Sequence, residues 1–178
     1  MKNKQILAAS AAVAGLAAVA LIVRSKNARL ETVGHVDLEK YLGKWYEIAR
    51  FPHSFESGCT CSTAEYSLND DGTIKILNSC MKLGKLDIAE GKATITDKKT
   101  NAKLSVEFAW PFTGKYWIIA LAHDYSYAMV GHPNRKYLWI LNRKSRMDEQ
   151  TYNHLLVQAV SKGFDVRNLV KTEQDCGR

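Results

Sequence analysis

Residues 43–51 read GKWYEIARF, and this stretch decides the fold. The residues just before it, 37–42, are predicted to form a short helical turn with Asp37 as its N-cap. A strand is predicted over residues 45–51, and Pro52 ends it because proline has no amide hydrogen to offer a strand ladder. Glycine two positions before tryptophan is common by chance, so the interpretation depends on the residues beyond Pro52.

Seven further strands are predicted after this stretch, each bounded by turn residues such as Asn69-Asp70-Asp71-Gly72. Because no helical pattern separates the strands, a parallel sheet is excluded and an antiparallel sandwich or barrel is expected. A closed barrel removes exposed edges, and eight strands enclose room for one small ligand. We therefore predict an all-β, eight-stranded antiparallel up-and-down barrel. The predicted strands cover residues 45–51, 60–68, 73–80, 88–96, 103–110, 116–122, 127–131 and 137–142.

One α-helix is predicted after the last strand. Ser145 is its expected N-cap and Gly163 its expected end. Apolar residues recur at positions 152, 155, 156, 159 and 160, which form a single stripe on a helix. A stripe of this kind must be buried, so we expect the helix to pack on the outside of the barrel.

The N-terminus has a different composition. Lys2 and Lys4 precede residues 6–23, an uncharged run of 18 residues that would span about 27 Å as a helix. This run is interpreted as a cleaved signal peptide or an uncleaved signal-anchor helix, and a buried soluble helix is the less favoured alternative. The predicted organisation is signal peptide or signal-anchor helix over residues 1–23, linker over residues 24–34 and barrel domain over residues 35–178. Export to the cell envelope is expected, with a membrane tether on the periplasmic or outer-membrane side.

Charge and histidine distribution exclude several function classes. The formal net charge is +7, but the basic residues are scattered among acids and form no stripe for nucleic acid. The five histidines are dispersed, and no metalloprotease, serine-hydrolase or phosphate-loop motif is present. The sequence therefore predicts no enzyme, no metal site and no cofactor.

Four cysteines follow the export signal, and in an oxidising compartment this even number favours disulfides. Free buried thiols and a metal site are the alternatives. The cysteines are Cys59, Cys61, Cys80 and Cys176.

Four stretches resemble ordered sequence blocks of the lipocalin family. They are GKWYEIARF (43–51), SFESGCTCSTAEYSLNDDGTIKILN (54–78), HDYSYAMVGHP (123–133) and YLWILNRK (137–144). The resemblance covers about residues 36–172 and is greatest to bacterial outer-membrane lipocalins and to the branch containing apolipoprotein D and insect bilin-binding proteins. It implies that Gly43, Trp45 and Arg143 close one end of the barrel, with the guanidinium stacked on the indole.

The resemblance also implies that Cys61 pairs with Cys176, which leaves Cys59 and Cys80 for a second bridge. Cys80 has the inward parity of its strand, so this second bridge would need a bulge. The closely spaced Cys59-x-Cys61 pair departs from the family pattern.

The implied function is binding of an apolar small molecule: a fatty acid, a lysophospholipid or another lipid, which the protein stores or transports at the cell envelope. Strand parity, counted from Arg143 in the last strand, gives the candidate pocket residue Trp139, and the candidate wall residues of the other strands are Tyr66, Ile76, Val106 and Phe108. The expected partners are this ligand and a membrane contacted through the N-terminal segment, with no nucleic acid. Two alternatives remain: an envelope interaction protein with a filled core, and a haem- or pigment-binding barrel.

Overall fold

The computed structural model describes residues 29–109 and 111–176. The predicted signal or anchor segment, residues 1–23, lies outside the described residues. Within them, no helix is both long enough and apolar enough to cross a membrane. The elements are a short helix α1 (Leu38–Tyr41), the strands β1 (Gly43–Arg50), β2 (Cys59–Leu68), β3 (Ile74–Lys82), β4 (Lys85–Ile95), β5 (Lys103–Ala109), β6 (Phe112–Leu121), β7 (Tyr127–Gly131) and β8 (Leu138–Asn142), the helix α2 (Glu149–Ser161) and the two-residue strand β9 (Val170–Lys171).

The strands form a closed barrel. Each of β2 to β8 pairs antiparallel with its neighbour in sequence, and β1 pairs with both β8 and β2. The predicted all-β, eight-stranded antiparallel barrel with one helix after it is thereby confirmed. We call the end at which β1 begins the closed end, and the end that carries the β3–β4 hairpin the open end.

The barrel has one core inside and another outside. Leu141 of β8 packs inside with Trp45, whereas Leu138 and Ile140 pack outside with Leu155 of α2. This alternation follows from the two-residue period of a strand. The helix therefore covers the outer wall, as its apolar stripe predicts.

The predicted N-cap of this helix is wrong by three residues. Asp148, and not Ser145, caps α2, and its carboxylate accepts a hydrogen bond from the Thr151 amide at 2.8 Å. A carboxylate also suits the positive end of the helix dipole. The helix ends near Gly163, whose φ of +86° is readily adopted only by glycine.

The described part of the predicted linker, residues 29–34, is packed on the barrel. Leu30 is buried in the outer core, and the Val33 amide donates to the Ile118 carbonyl at 3.0 Å. The polar composition of residues 24–34 concealed this contact, because one leucine and one valine suffice to fix the segment.

The C-terminal tail completes the wall of the barrel near the open end. The pairing of β1 with β2 covers only the first half of β1, from Gly43 to Tyr46. Beyond it, β9 pairs with β1, and the Gln174 side-chain amide donates to the carbonyls of Glu47 (2.8 Å) and Ser62 (2.9 Å). The tail therefore bridges the two strands where they separate.

Candidate functional site

The floor of the barrel is a tryptophan under an arginine. The Arg143 guanidinium carbon lies 3.7 Å from the centre of the Trp45 ring, and the Trp45 side chain is fully buried. The Trp45 indole donates to the Tyr41 carbonyl at 2.8 Å. Gly43 has a φ of +85°, a conformation that favours glycine and turns the chain from α1 into β1.

Arg143 also ties the loops of the closed end together. Its guanidinium donates to the carbonyls of Lys40 (2.6 Å), Lys44 (2.9 Å), Tyr41 (3.2 Å) and Tyr125 (3.3 Å). Burial lowers the pKa of Arg143, although four carbonyl acceptors and the indole face compensate for lost hydration. The residues that the resemblance assigns to barrel closure thus lie together, and their contacts hold the loops of the closed end in place.

Three tyrosines occupy the lower half of the lumen. The hydroxyl of Tyr116 lies 2.7 Å from that of Tyr41 and 3.0 Å from that of Tyr66, so the three form one hydrogen-bonded group. Burial raises the pKa of Tyr66 to about 12 and raises those of Tyr41 and Tyr116 well above the ordinary value. All three are therefore neutral phenols at physiological pH.

Little space remains around these tyrosines. The chamber in the lower lumen has a volume of about 10 Å³, which is about one water-sized sphere. Three predicted pocket residues, Tyr66, Ile76 and Val106, line it, and Phe108 and Trp139 do not. The lower lumen is therefore too full for an alkyl chain.

The inner face of β4 becomes exposed towards the open end. Ala89 shares the inner face of β4 with Ala93, and unlike Ala93 it is exposed. Phe108 is 44% exposed, and its ring covers Gly91, where an added Cβ would come within 2.7 Å of Phe108 Cδ1. The predicted wall residue Phe108 therefore stands at the mouth, near the end of β5, where a register shift displaces the strand.

A buried polar cluster lies on the inner face of β1, near the open end. Glu47 and Arg50 are on the inner face of β1, opposite Leu141 and Trp139 of β8. Their side chains form an ion pair at 2.6 Å and are 6% and 11% exposed. Arg50 also donates to Thr172 Oγ1 of the tail at 3.1 Å.

The loop between β1 and β2 adds two further titratable groups to this cluster. Arg50 Nη2 donates to the Glu56 carbonyl at 2.8 Å, and its Nε lies 3.2 Å from Glu56 Oε2. His53 Nε2 is 3.4 Å from the same oxygen, and the His53 ring stacks on Phe55 with centroids 3.7 Å apart. Because Arg50 bonds to three protein groups at once, its charge is satisfied within the protein.

The two loop groups have opposite pKa shifts. Burial raises the pKa of Glu56 to about 8, and Glu47 adds to the rise. Burial lowers the pKa of His53 to about 4, and the charge of Arg50 adds to that fall.

These shifts set a pH dependence of stability. The ordinary pKa values of Glu56 and His53 are 4.5 and 6.5. Between these pH values the folded protein holds a proton on Glu56, whereas the unfolded chain holds one on His53. The two effects on the free energy of unfolding therefore oppose each other in this range. Above pH 6.5 only folded Glu56 retains its proton, so the free energy of unfolding falls as the pH rises towards about 8.

Two disulfides lie near the open end: one joins β2 to β3, and the other joins β2 to the C-terminal tail. The Cα atoms of Cys59 and Cys80 are 5.5 Å apart, and those of Cys61 and Cys176 are 6.1 Å apart. The pairing is the one that the resemblance implies. A register shift in β2 before Thr63, together with a φ of +54° at Cys61, turns Cys59 towards Cys80 and leaves Cys61 facing the tail.

Sequence reasoning missed the tyrosines at 41 and 116 and the polar cluster. A signal for the cluster was present in the stretch GKWYEIARF. Glu47 lies two residues after Trp45 and therefore shares its inward parity. A charged residue facing a lumen needs a partner, but simple alternation places Arg50 on the other face of the strand, and only the register shift between Glu47 and Ala49 turns it inward.

A closed antiparallel barrel with a sealed floor and an exposed inner wall near its open end has the architecture of a small-molecule-binding β-barrel. The Lipocalin-like domain family matches residues 36–174. Temperature-induced lipocalin-1 of Arabidopsis thaliana is 42% identical over 159 residues, which cover 84% of this chain and 86% of that protein. Outer membrane lipoprotein Blc of Escherichia coli (strain K12) is 40% identical over 167 residues, which cover 93% of this chain and 94% of that protein.

The chain belongs to the lipocalin family, whose members bind small hydrophobic molecules. Among solved structures, insecticyanin from the tobacco hornworm Manduca sexta superposes with a TM-score of 0.67 and 22% identity, covering 82% of this chain and 85% of that one. At this identity the likeness to insecticyanin concerns the fold alone.

Proposed function

We propose that the protein holds one apolar molecule, a fatty acid, lysophospholipid or other lipid, in the upper half of its barrel and stores or transports it at the cell envelope without catalysis. The observation that carries the proposal is the accessible inner face at Ala89 above the filled chamber around Tyr116. A ligand enters from the open end and stops at the tyrosines.

The chemistry of the upper wall favours an apolar ligand. Phe108 and the aromatic ring of Trp139 provide apolar surface, while the Arg50 charge is already paired with Glu47. The polar groups of Asn78 and Asp87 lie on the same inner face as Ala89, nearer the mouth or opposite it. About ten buried methylenes would contribute roughly 8 kcal/mol before ordering costs, and micromolar binding corresponds to about 8 kcal/mol. A polar head group would remain at the mouth, in water.

The envelope location is supported by sequence features. Residues 6–23 form an uncharged apolar run after two lysines, and the relatives include a protein named as an outer membrane lipoprotein. Two disulfides also suit an oxidising compartment.

Blocking the upper lumen tests the binding proposal. In the variant Ala89→Trp, an indole fills the accessible space, and we expect loss of binding of a fluorescent fatty acid. Ile88→Trp is the matched control, because Ile88 is adjacent, 52% exposed and on the outer face of the same strand.

The measurement is a titration of each variant with the fluorescent fatty acid, followed by displacement with oleate and with lysophosphatidylcholine. The proposal predicts displacement from the wild type and from the Ile88 variant only. If the probe fails to bind the wild type, or if both variants bind equally, the upper lumen is not the binding site.

The small lower chamber also favours a second candidate, an envelope interaction protein with a filled core. This candidate predicts no retained lipid. Native mass spectrometry of protein extracted from membranes separates the two, since a bound fatty acid or phospholipid adds a defined mass.

A further inference from the structure

Apolar side chains project into solvent around the open end. Leu83, at the tip of the β3–β4 hairpin, is 96% exposed, and Leu86 follows on the same hairpin at 64%. Phe55 of the β1–β2 loop is 62% exposed at the same end of the barrel. Large apolar residues clustered on one end of a protein indicate a contact surface. We call the Met81–Leu86 hairpin tip together with Phe55 the open rim.

The charges of the rim favour an anionic surface. The open-end tip of the β3–β4 hairpin contains Lys82 and Lys85 and no acidic residue. At the other end of β3, the tip of the β2–β3 hairpin contains Asp70 and Asp71. Two hairpins that share one strand thus carry opposite charge at opposite ends of the barrel. Lysines beside exposed leucines suit the boundary between anionic head groups and acyl chains.

The N-terminal segment joins the barrel at the level of the open end. Lys162 Nζ donates to the Glu31 carbonyl at 3.4 Å, and the Lys162 carbonyl accepts from Arg135 Nε at 3.3 Å. Arg135 belongs to the β7–β8 loop, which is at the open end. From Glu31 the chain descends to Val36, which packs with Trp45 at the floor.

This attachment point limits which end of the barrel faces a membrane. The apolar run ends at residue 23, and residues 24–28 separate it from the described chain. Five residues span at most about 18 Å when fully extended. A membrane that holds the run therefore lies within reach of the open end, and the acidic hairpin tip at Asp70 points away from it.

We propose that the open rim docks on an anionic bilayer, with Leu83 and Leu86 at the water–lipid boundary and Lys82 and Lys85 among the head groups. The mouth of the barrel then faces the lipid phase directly. This inference goes beyond the proposed function, since docking does not depend on what the lumen holds.

Amide hydrogen exchange of the full chain on vesicles tests the docking. Vesicles of phosphatidylglycerol and phosphatidylcholine are compared with vesicles of phosphatidylcholine alone. On the anionic vesicles we expect slowed exchange at residues 82–85 and unchanged exchange at residues 70–72. Each lysine near an anionic surface favours the docked state by about fivefold, so Lys82→Gln/Lys85→Gln is expected to weaken docking roughly 30-fold.

The variant Leu83→Glu places a charge at the lipid boundary and is expected to abolish the protection. Leu68→Glu is the matched control, because Leu68 is 58% exposed and lies at the closed end. It is expected to keep the wild-type protection. The proposal is overturned if residues 82–85 gain no protection, if residues 70–72 gain as much, or if Leu83→Glu behaves like Leu68→Glu.

Discussion

Replacing Arg143 with methionine should weaken the closed end of the barrel. The variant loses four hydrogen bonds, of which those to Lys40 and Lys44 are short at 2.6 and 2.9 Å. It also loses the contact with the Trp45 ring at 3.7 Å. Arg143 is half-buried, so water replaces part of the loss. The short bonds at about 1 kcal/mol each and the ring contact at about 1 kcal/mol give a loss of about 3 kcal/mol.

Urea unfolding followed by tryptophan fluorescence, with both disulfides intact, measures this loss. Arg146→Met is the matched control: its side chain is 80% exposed and pairs with Asp175 on the surface, so a change below about 1 kcal/mol is expected. A loss at Arg143 no larger than that at Arg146 would refute the view that the guanidinium holds the floor together.

Two further changes test the mouth and the outer wall. In the wild type the free energy of unfolding should fall by roughly 1–2 kcal/mol between pH 6.5 and about 8. Glu56→Gln removes the group with the raised pKa, so urea titrations of this variant across the same range should show no such fall. An unchanged dependence on pH would contradict the assignment to Glu56. Gly131→Ala sets a Cβ 2.6 Å from Phe164 Cζ and should lower the free energy of unfolding by about 1–3 kcal/mol. The control Gly34→Ala, whose Cβ meets nothing within 4 Å, should be nearly neutral. Equal melting temperatures of the two variants in thermal unfolding would exclude this close packing.

The sequence predicts the barrel well because several wall strands, such as β5, have one buried and one more polar face. Leu104 and Val106 alternate with Lys103 and Ser105, and this pattern is local to the strand. β8 is apolar on both faces, so its parity followed instead from counting back from Arg143, and Leu138 and Leu141 do pack on opposite sides of the wall.

The depth of the lumen was not predictable in this way. Whether a tyrosine fills a cavity depends on which side chains meet across the barrel, and Tyr41 and Tyr116 are 75 residues apart in sequence. Parity places Phe108 on the inner face but gives no height above the floor, because that height depends on how far neighbouring strands are shifted along one another. The cap of α2 was misplaced because Ser145 and Asp148 are both good N-cap residues.

The tail that bridges β1 and β2 has a consequence for biosynthesis. Cys176 is synthesised 115 residues after Cys61. The gap between the separated parts of β1 and β2 therefore stays open until the tail has left the ribosome. Termination before residue 170 would leave a cylinder with a slit beside the lumen, through which water could enter. Completion of the side wall is therefore a late event in the life of the chain, and so is completion of the floor, because Arg143 follows the last long strand of the barrel.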